Sequence, residues 1–170
     1  CIVTDRVEVF LPARPGKSQV IRLVQALVSH RPEGSGTDLA AAFRLLCTRV
    51  RRKSSVIVIS DFDDPGFARD LSLLRRRHEA TAVRVTDPAE DALPDVGQVF
   101  LEDPETGEQV LVDTSDPAFR KAYADAVAAA DRRTGGDLRS CRVPEVRVST
   151  DEPYDRPLRR FYAHTRYRGG

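Results

Sequence analysis

The chain has 170 residues, a length that suits one ordinary domain and is too short for two. Hydrophobic residues make up 41% and charged residues 31%, which is typical of a folded globular chain and excludes a disordered one. The net charge of +1 excludes a general electrostatic attraction to nucleic acid or to an anionic membrane. The sequence contains no apolar run that approaches the roughly 20 residues needed to span a bilayer.

The cysteines and the first residue bear on compartment and completeness. Cys1, Cys47 and Cys141 are widely spaced and form no CxxC pair, so the sequence favours a reducing compartment over a disulfide framework. The chain opens on Cys1 instead of Met, in what resembles the end of a strand. We therefore expect a fragment whose upstream part, with any signal or membrane segment, is missing. We expect a cytoplasmic location for this chain, although the full-length protein could be membrane-anchored.

The amino-terminal third predicts two short strands followed by helices and an apolar strand. Residues 2–4 and 7–11 indicate strands joined by a tight turn. The spacing of apolar residues predicts one helix over 18–29 and another that begins at Thr37 as its N-cap. Residues 56–59 form a β-branched run without polar alternation, which predicts a central parallel strand covered by helices on both faces.

The rest of the chain continues to alternate. A helix, a strand, a β-hairpin, an Ala-rich helix, a strand and a short helix are predicted over 67–78, 80–85, 98–113, 117–133, 145–149 and 158–162, respectively. Gly135 and Gly136 are expected to stop the Ala-rich helix. Strands that alternate with helices imply right-handed crossovers. The predicted fold is therefore α/β, with an open, mostly parallel sheet and helices on both faces.

Two side chains with oxygen donors are expected beyond the carboxyl end of this sheet, where open α/β folds bind ligands. Asp61 follows the apolar strand, and Thr37 follows a Gly-flanked loop. A carboxylate at a buried strand end is costly unless a charged or hydrogen-bonding group meets it. Hydroxyl, carboxylate and water oxygens suit a hard cation such as Mg²⁺. The plainer alternative is that Thr37 and Asp61 only cap the elements that follow them.

An enzymatic alternative comes from the same segment. Residues 61–64 resemble the Asp-x-Asp motif of haloacid dehalogenase-type phosphotransferases, in which Asp61 would attack phosphorus and Asp63 would act as acid or base. Pro65 stands where that motif usually has Thr or Val, and the one downstream lysine, Lys121, lies in the Ala-rich helix. Acidity of an exposed loop is the plainer explanation of the second carboxylate.

Two basic clusters, residues 49–53 and 75–78, end predicted helices. Cations near a helix C-terminus are favoured by about 0.3–1 kcal/mol each, so solvated helix ends explain them. Nucleic-acid binding would need the clusters on one face with interleaved aromatic residues, which the sequence does not indicate. We therefore predict no nucleic-acid partner.

An ordered set of motifs along nearly the whole chain resembles the family known as DUF58. The motifs are Gly36-Thr37-Asp38-Leu39-Ala40-Ala41-Ala42, Val58-Ile59-Ser60-Asp61-Phe62, Ala82-Val83-Arg84-Val85-Thr86-Asp87-Pro88, Leu93-Pro94-Asp95-Val96-Gly97, Leu101-Glu102-Asp103-Pro104-Glu105-Thr106-Gly107, Val112-Asp113-Thr114, Thr150-Asp151-Glu152 and Pro157-Leu158. The resemblance implies a Rossmann-like von Willebrand A-like domain over 1–150 with a hairpin inserted near 98–113. A carboxyl-terminal helix and tail would occupy 151–170.

The resemblance also implies a metal site. In von Willebrand A domains a metal-ion-dependent adhesion site takes Asp-x-Ser-x-Ser from the first strand, a Thr from a later loop and an Asp from the end of the fourth strand. Thr37 and Asp61 match the last two places, with Asp38 and Ser60 expected to orient them. Asp-x-Ser-x-Ser occurs nowhere in the chain, so we expect a domain truncated at its amino end. Mg²⁺ binding is expected only with the missing upstream motif.

Proteins of this kind are often encoded beside MoxR-type AAA+ ATPases. The resemblance therefore implies a non-catalytic protein-binding module that works with such an ATPase in assembly or chaperone-like activity. The competing hypothesis remains a phosphotransferase that uses Asp61 and Asp63.

Overall fold

The computed structural model describes residues 1–102 and 107–166 and contains a three-stranded parallel sheet and two antiparallel hairpins. The strands are β1 (Ile2–Val3), β2 (Val7–Val9), β3 (Ser55–Ser60), β4 (Glu79–Thr86), β5 (Gln98–Glu102), β6 (Gln109–Asp113) and β7 (Glu145–Ser149). The parallel sheet has the order β3-β4-β7, while β1 pairs with β2 and β5 pairs with β6. The α/β class and the extra hairpin are confirmed, and residues 103–106 of its predicted turn lie outside the described residues.

Helices cover both faces of the parallel sheet, as predicted. They are α1 (Lys17–Ser29), α2 (Leu39–Arg49), α3 (Ala68–Arg77), α4 (Pro88–Asp91), α5 (Pro117–Ser140) and α6 (Asp155–Arg166). One face packs against α2, α3 and the end of α5, and the other packs against Leu158 and Phe161 of α6. Within the described residues, none of these helices combines the length and hydropathy needed to cross a membrane.

The main core lies between α2, α3 and the sheet. Leu71 and Leu74 lie about one turn apart on α3, so they share one face of the helix, and both are completely buried. They pack in one cluster with Phe43 of α2 and with Ala82 of β4, whose small side chain lets the helices approach the strand. The core is therefore formed by the periodic apolar positions of consecutive elements.

The strand predicted to be central lies at an edge of the sheet. Within the described residues β3 pairs only with β4. Val56 and Val58 pack against the core, whereas Ile57 and Ile59 are 51% and 69% exposed on the opposite face. The prediction was wrong because an apolar run shows that a strand suits burial on both faces, while the described chain covers only one face of β3.

The apolar side of α1 is also uncovered. Its six large apolar residues are between 40% and 82% exposed; they are Val20, Ile21, Leu23, Val24, Leu27 and Val28. The buried residue of this helix is Gln19, whose Nε2 donates a hydrogen bond to the Pro12 carbonyl at 3.0 Å. An apolar surface of this kind is typical of a site that another polypeptide covers.

The sequence predicted that the Ala-rich helix stops at Gly135 and Gly136. In the structure the helix continues to Ser140. A glycine costs about 1 kcal/mol in a helix interior relative to alanine, so a compensating contact is required. That contact is packing, because Leu138 is completely buried in the core. Gly135 is buried as well, and a Cβ there would lie 3.2 Å from Nη1 of Arg139 and 3.6 Å from Nη2 of Arg147. Tertiary packing thus overrides the local preference.

Neighbouring leucines on α3 test the core. Leu74→Ala should lower the free energy of unfolding by about 2–5 kcal/mol, because it leaves a cavity beside β4. Leu73 is 45% exposed, so Leu73→Ala should change the free energy of unfolding by only about 0.5 kcal/mol. Urea denaturation monitored by circular dichroism measures both values, and equal losses for the two variants would contradict this packing.

Candidate functional site

The carboxyl end of β3 and the start of α2 lie side by side. The backbone N–H of Leu39, the first residue of α2, donates to Oδ2 of Asp64 at 2.8 Å. Asp64 belongs to the loop that leaves β3, so this bond joins the Thr37 segment to the Asp61 segment. Burial raises the pKa of Asp64, and the nearby negative charge of Asp38 raises it further, while the Leu39 hydrogen bond lowers it. Carboxylates from two chain segments therefore meet at this edge.

Asp61 is held by its own loop. Its Oδ1 accepts hydrogen bonds from the Ser60 hydroxyl at 3.1 Å and from the Asp63 backbone N–H at 3.2 Å. Phe62 adopts a left-handed φ of 63°, and its ring is buried in the core. Asp61 itself is exposed, so the expected desolvation cost at a buried strand end does not arise. The second carboxylate oxygen, Oδ2, has no hydrogen-bond partner within the described residues.

Thr37 does not cap α2, contrary to the sequence prediction. The N-cap is Asp38, whose Oδ1 accepts a hydrogen bond from the Ala41 backbone N–H at 2.7 Å. Asp and Thr are both good N-cap residues, and local sequence does not decide between adjacent candidates. Because Asp38 caps the helix, the Thr37 hydroxyl does not take part in capping.

A residue that the sequence did not single out, Glu8 of β2, anchors the loop that leads to Thr37. Its side chain is 4% exposed. Oε1 accepts hydrogen bonds from the backbone N–H groups of Glu33 and Gly34 at 2.9 and 2.8 Å and from the Thr4 hydroxyl at 2.9 Å. Oε2 contacts Nε2 of His30. These donors, above all the Gly34 N–H, lower the pKa of Glu8 from 4.5 to about 2.

The same loop also contacts the turn between β1 and β2, at Thr4 and Asp5. The Asp38 backbone N–H donates to the Thr4 carbonyl at 2.7 Å. Gly34 leaves no room for a side chain, since a Cβ there would lie 1.9 Å from Oδ1 of Asp5 and 2.6 Å from Oγ1 of Thr4. The small β1-β2 hairpin therefore positions the segment that carries Thr37.

A buried arginine, Arg84 of β4, fixes the other side of the site. Its Nε donates to the Asp61 carbonyl at 3.1 Å, and its Nη1 lies 2.8 Å from Oδ1 of Asp131 on α5. Asp131 also pairs with Nη1 of Arg147 at 3.0 Å, and Arg84 lies 3.7 Å from Glu145. The buried guanidinium is thereby neutralised, and it holds the backbone at the end of β3.

The donors at this edge suit a hard cation in type but are too few in number. The hydroxyl of the half-buried Thr37 and the carboxylate of the exposed Asp61 match the preference of Mg²⁺ for oxygen ligands. Within residues 1–102 and 107–166, no group of three or more His, Cys, Asp or Glu side chains could hold a metal ion. A complete site would need oxygen ligands from a further segment of polypeptide.

The lysines that would support phosphotransfer are engaged elsewhere. Lys121 pairs with Asp125 one turn along α5. Lys53 pairs with Glu79 at 2.9 Å, at the amino end of β3 and β4 and therefore at the opposite edge of the sheet from Asp61. The backbone N–H of the exposed Asp63 donates a hydrogen bond to the Asp61 side chain, which is the geometry of an Asx-turn.

The Glu8 anchor should make stability depend on pH. Because its pKa falls from 4.5 when unfolded to about 2 when folded, its contribution is fully present above about pH 4.5 and is lost as the pH falls toward 2. Glu8→Gln should therefore flatten the loss of melting temperature over this range. Melting curves at half-unit pH steps measure the slope, and Glu90→Gln, on an exposed residue of α4, is the control. An unchanged slope in Glu8→Gln would contradict the anchor.

Comparison with known proteins places the chain in a family. The family described as "Protein of unknown function DUF58" matches residues 1–133. The uncharacterized protein Rv1480 of Mycobacterium tuberculosis is 35% identical over 159 residues, which cover 92% of this chain and 50% of that protein. The uncharacterized protein Mb1516 of Mycobacterium bovis matches with the same values. This chain thus spans about half the length of these two relatives.

Two further proteins are similar over most of the chain. The uncharacterized protein MAV169 of Mycobacterium avium is 35% identical over 154 residues, which cover 89% of this chain and 90% of that protein. The conserved hypothetical protein BatB from Bacteroides thetaiotaomicron, known from a crystal structure, is 17% identical in sequence, with a TM-score of 0.47. The match covers 90% of this chain and 71% of the BatB chain. The family match and the relatives at 35% identity establish that this chain belongs to the DUF58 family.

Proposed function

We propose that this chain is a non-catalytic protein-binding module whose ligand site lies at the carboxyl end of β3. The observation that carries the proposal is the contact between the two segments that bear the candidate ligands. A hydrogen bond from the Leu39 N–H to Asp64 joins the Thr37 segment to the Asp61 segment. Arg84 of the neighbouring strand β4 donates a hydrogen bond to the Asp61 carbonyl. Exposed oxygen donors on a fixed backbone are what a recognition site requires.

In this proposal Thr37 and Asp61 hold Mg²⁺, directly or through water, as part of a metal-ion-dependent adhesion-like site. Ser60 orients Asp61 through the hydrogen bond to Oδ1, and Asp38 positions Thr37 by capping α2. When bound, Mg²⁺ would supply an open coordination position for a carboxylate of the partner. The free Oδ2 of Asp61 is the oxygen available to the cation.

The remaining ligands would come from a strand that carries Asp-x-Ser-x-Ser along the free edge of β3. Two observations support this step. The edge of β3 that faces away from β4 has no partner within the described residues, and Ile57 and Ile59 are exposed beside it. A parallel strand at that edge would end next to Asp61, because parallel strands bring their carboxyl ends to the same side of a sheet.

The partner we propose is a MoxR-type AAA+ ATPase, because proteins that resemble this family are often encoded beside such ATPases. An Asp or Glu side chain of that partner would coordinate the metal. A module of this kind needs no general base, which agrees with the engagement of Lys121 and Lys53 in ion pairs away from Asp61. The phosphotransferase hypothesis has no comparable support from the geometry.

Calorimetric titration of Mg²⁺ into the full-length protein tests the site. Asp61→Ala should abolish Mg²⁺ binding, because it removes the charged ligand. Ser60→Ala should weaken Mg²⁺ binding by about tenfold, because it removes only the hydrogen bond that orients the ligand. Asp63→Ala is the matched control and should bind as the parent does. Absence of binding by the parent protein, or equal binding by Asp61→Ala, would overturn the metal-dependent mechanism.

The two functional classes are separated by the same variants. The parent protein should capture the purified ATPase in the presence of Mg²⁺ and release it with EDTA, with the same loss in Asp61→Ala and none in Asp63→Ala. It should not hydrolyse p-nitrophenyl phosphate. Hydrolysis that disappears in Asp63→Ala would instead support the phosphotransferase.

A further inference from the structure

The end of the parallel sheet at which its strands begin, called here the amino-terminal edge, is strongly basic. Three helices, α2, α3 and α5, end at this edge immediately before β3, β4 and β7. Their last turns and the following loops bring nine basic residues together; they are Arg49, Arg51, Arg52, Lys53, Arg75, Arg76, Arg77, Arg139 and Arg142. In the sequence these clusters lie far apart and each resembles a solvated helix end. The parallel topology gathers them on one side of a chain whose net charge is only +1.

A cavity of about 470 Å³ that is open to solvent lies at this end of the sheet, between the last turns of α3 and α5. Its lining consists of Ser72, Arg75, Arg76, Ser140, Cys141 and Arg142. The volume falls in the range of small-molecule sites, about 300–1,000 Å³. The lining nevertheless contains neither an aliphatic or aromatic side chain nor a carboxylate, which is unusual for a site of this size. A ligand would be recognised here by charge and hydrogen bonds.

The cavity arginines lack the carboxylate partners that other arginines of this protein have. Within the described residues, Arg75, Arg76 and Arg142 form no ion pair, and Arg75 donates a hydrogen bond of 3.4 Å to the Arg142 carbonyl. Glu79 is paired with Lys53 at 2.9 Å, which is the main cause of its lowered pKa, and the charge of Arg75 makes only a smaller contribution. Three guanidinium groups around one cavity repel one another unless an anion lies between them.

The contrast with Asp131, which lies nearer the amino end of α5, is direct. There Arg84 and Arg147 share Asp131 at 2.8 and 3.0 Å, so two guanidinium groups are neutralised within the fold. Arg44 of α2 likewise pairs with Asp70 at 3.2 Å. Helix-end stabilisation explains a basic residue at each terminus, but it does not explain why three arginines that form no ion pair within the described residues surround one cavity.

We propose that this cavity binds a multiply charged phosphate compound, of which pyrophosphate is the simplest. The planar guanidinium fork matches the spacing of phosphate oxygens, and several such forks can share a phosphate chain. The Ser72 hydroxyl donates at 3.2 Å to Cys141 Sγ, a weak acceptor, so it can turn its proton to an anion at little cost. Since no aromatic side chain lines the cavity, a nucleobase would find no aromatic ring on which to stack.

Arg142 supplies a test variant that separates binding from folding. It has a left-handed φ of 56°, in the turn that closes α5, where the Val143 N–H donates to the Leu138 carbonyl at 3.1 Å. Glycine is the residue that helix ends of this kind prefer. Arg142→Gly therefore removes a guanidinium group from the cavity while it relieves the backbone, so the melting temperature should not fall.

Isothermal titration of pyrophosphate into the protein at low ionic strength tests the proposal, with the metal omitted so that the two sites remain distinguishable. The parent should bind, and Arg142→Gly and Arg76→Gln should each bind about tenfold or more weakly. Arg51→Gln, which removes a basic residue at the same edge but outside the cavity lining, is the matched control and should bind as the parent does. ADP should bind no more tightly than pyrophosphate.

Other outcomes would overturn the proposal. Equal binding of citrate would indicate a carboxylate ligand instead of a phosphate compound. Equal losses in Arg51→Gln and Arg142→Gly would indicate a diffuse charge effect without a defined site. No pyrophosphate binding by the parent, or binding of duplex DNA alone, would show that the basic edge serves another purpose.

Discussion

A guanidinium group buried on the parallel sheet constrains much of the surrounding structure. Arg84 lies on β4, and removing its charge from water costs several kcal/mol unless a carboxylate meets it. Asp131 of α5 meets it at 2.8 Å, so α5 must lie close to the sheet at this level. The Arg147 side chain, which shares Asp131, lies beside Gly135 of the same helix, with its Nη2 3.6 Å from the position a Cβ would occupy. The same guanidinium holds the Asp61 carbonyl, so the backbone of the candidate site depends on this ion pair.

Parallel topology separates the charges of a nearly neutral chain. Strands that point the same way place all their preceding helix ends at one edge and all their following loops at the other. Helix C-termini favour cations, so the amino edge of the sheet collects arginines. The loops that follow β3 and precede α2 collect carboxylates, since Asp caps helices and turns. The fold therefore places acidic and basic side chains at opposite ends of the parallel strands.

The sequence predicted those features that depend on periodicity. Positions such as Leu71 and Leu74 lie at helical spacing, and they form the core. Features that depend on packing between distant segments were not predictable in this way. Helix α5 passes through Gly135 because Leu138 is buried by a strand and a helix far away in the chain. The edge position of β3 depends on which segments are present, and an apolar run cannot report that.

The candidate site shows the same division. Asp61 and Thr37 were found from their places after a strand and before a helix. Glu8 was not, since a single glutamate in a short strand carries no pattern, and its role arises from donors 22 to 26 residues away. Arg84 left a faint signal, as the one charged residue within the apolar part of β4. Glu8 and Arg84 bind backbone groups of the loops and do not occupy the side-chain oxygens of Thr37 and Asp61. The candidate site is thus specified twice, by local motifs that carry the candidate ligands and by buried charges that fix the loops bearing them.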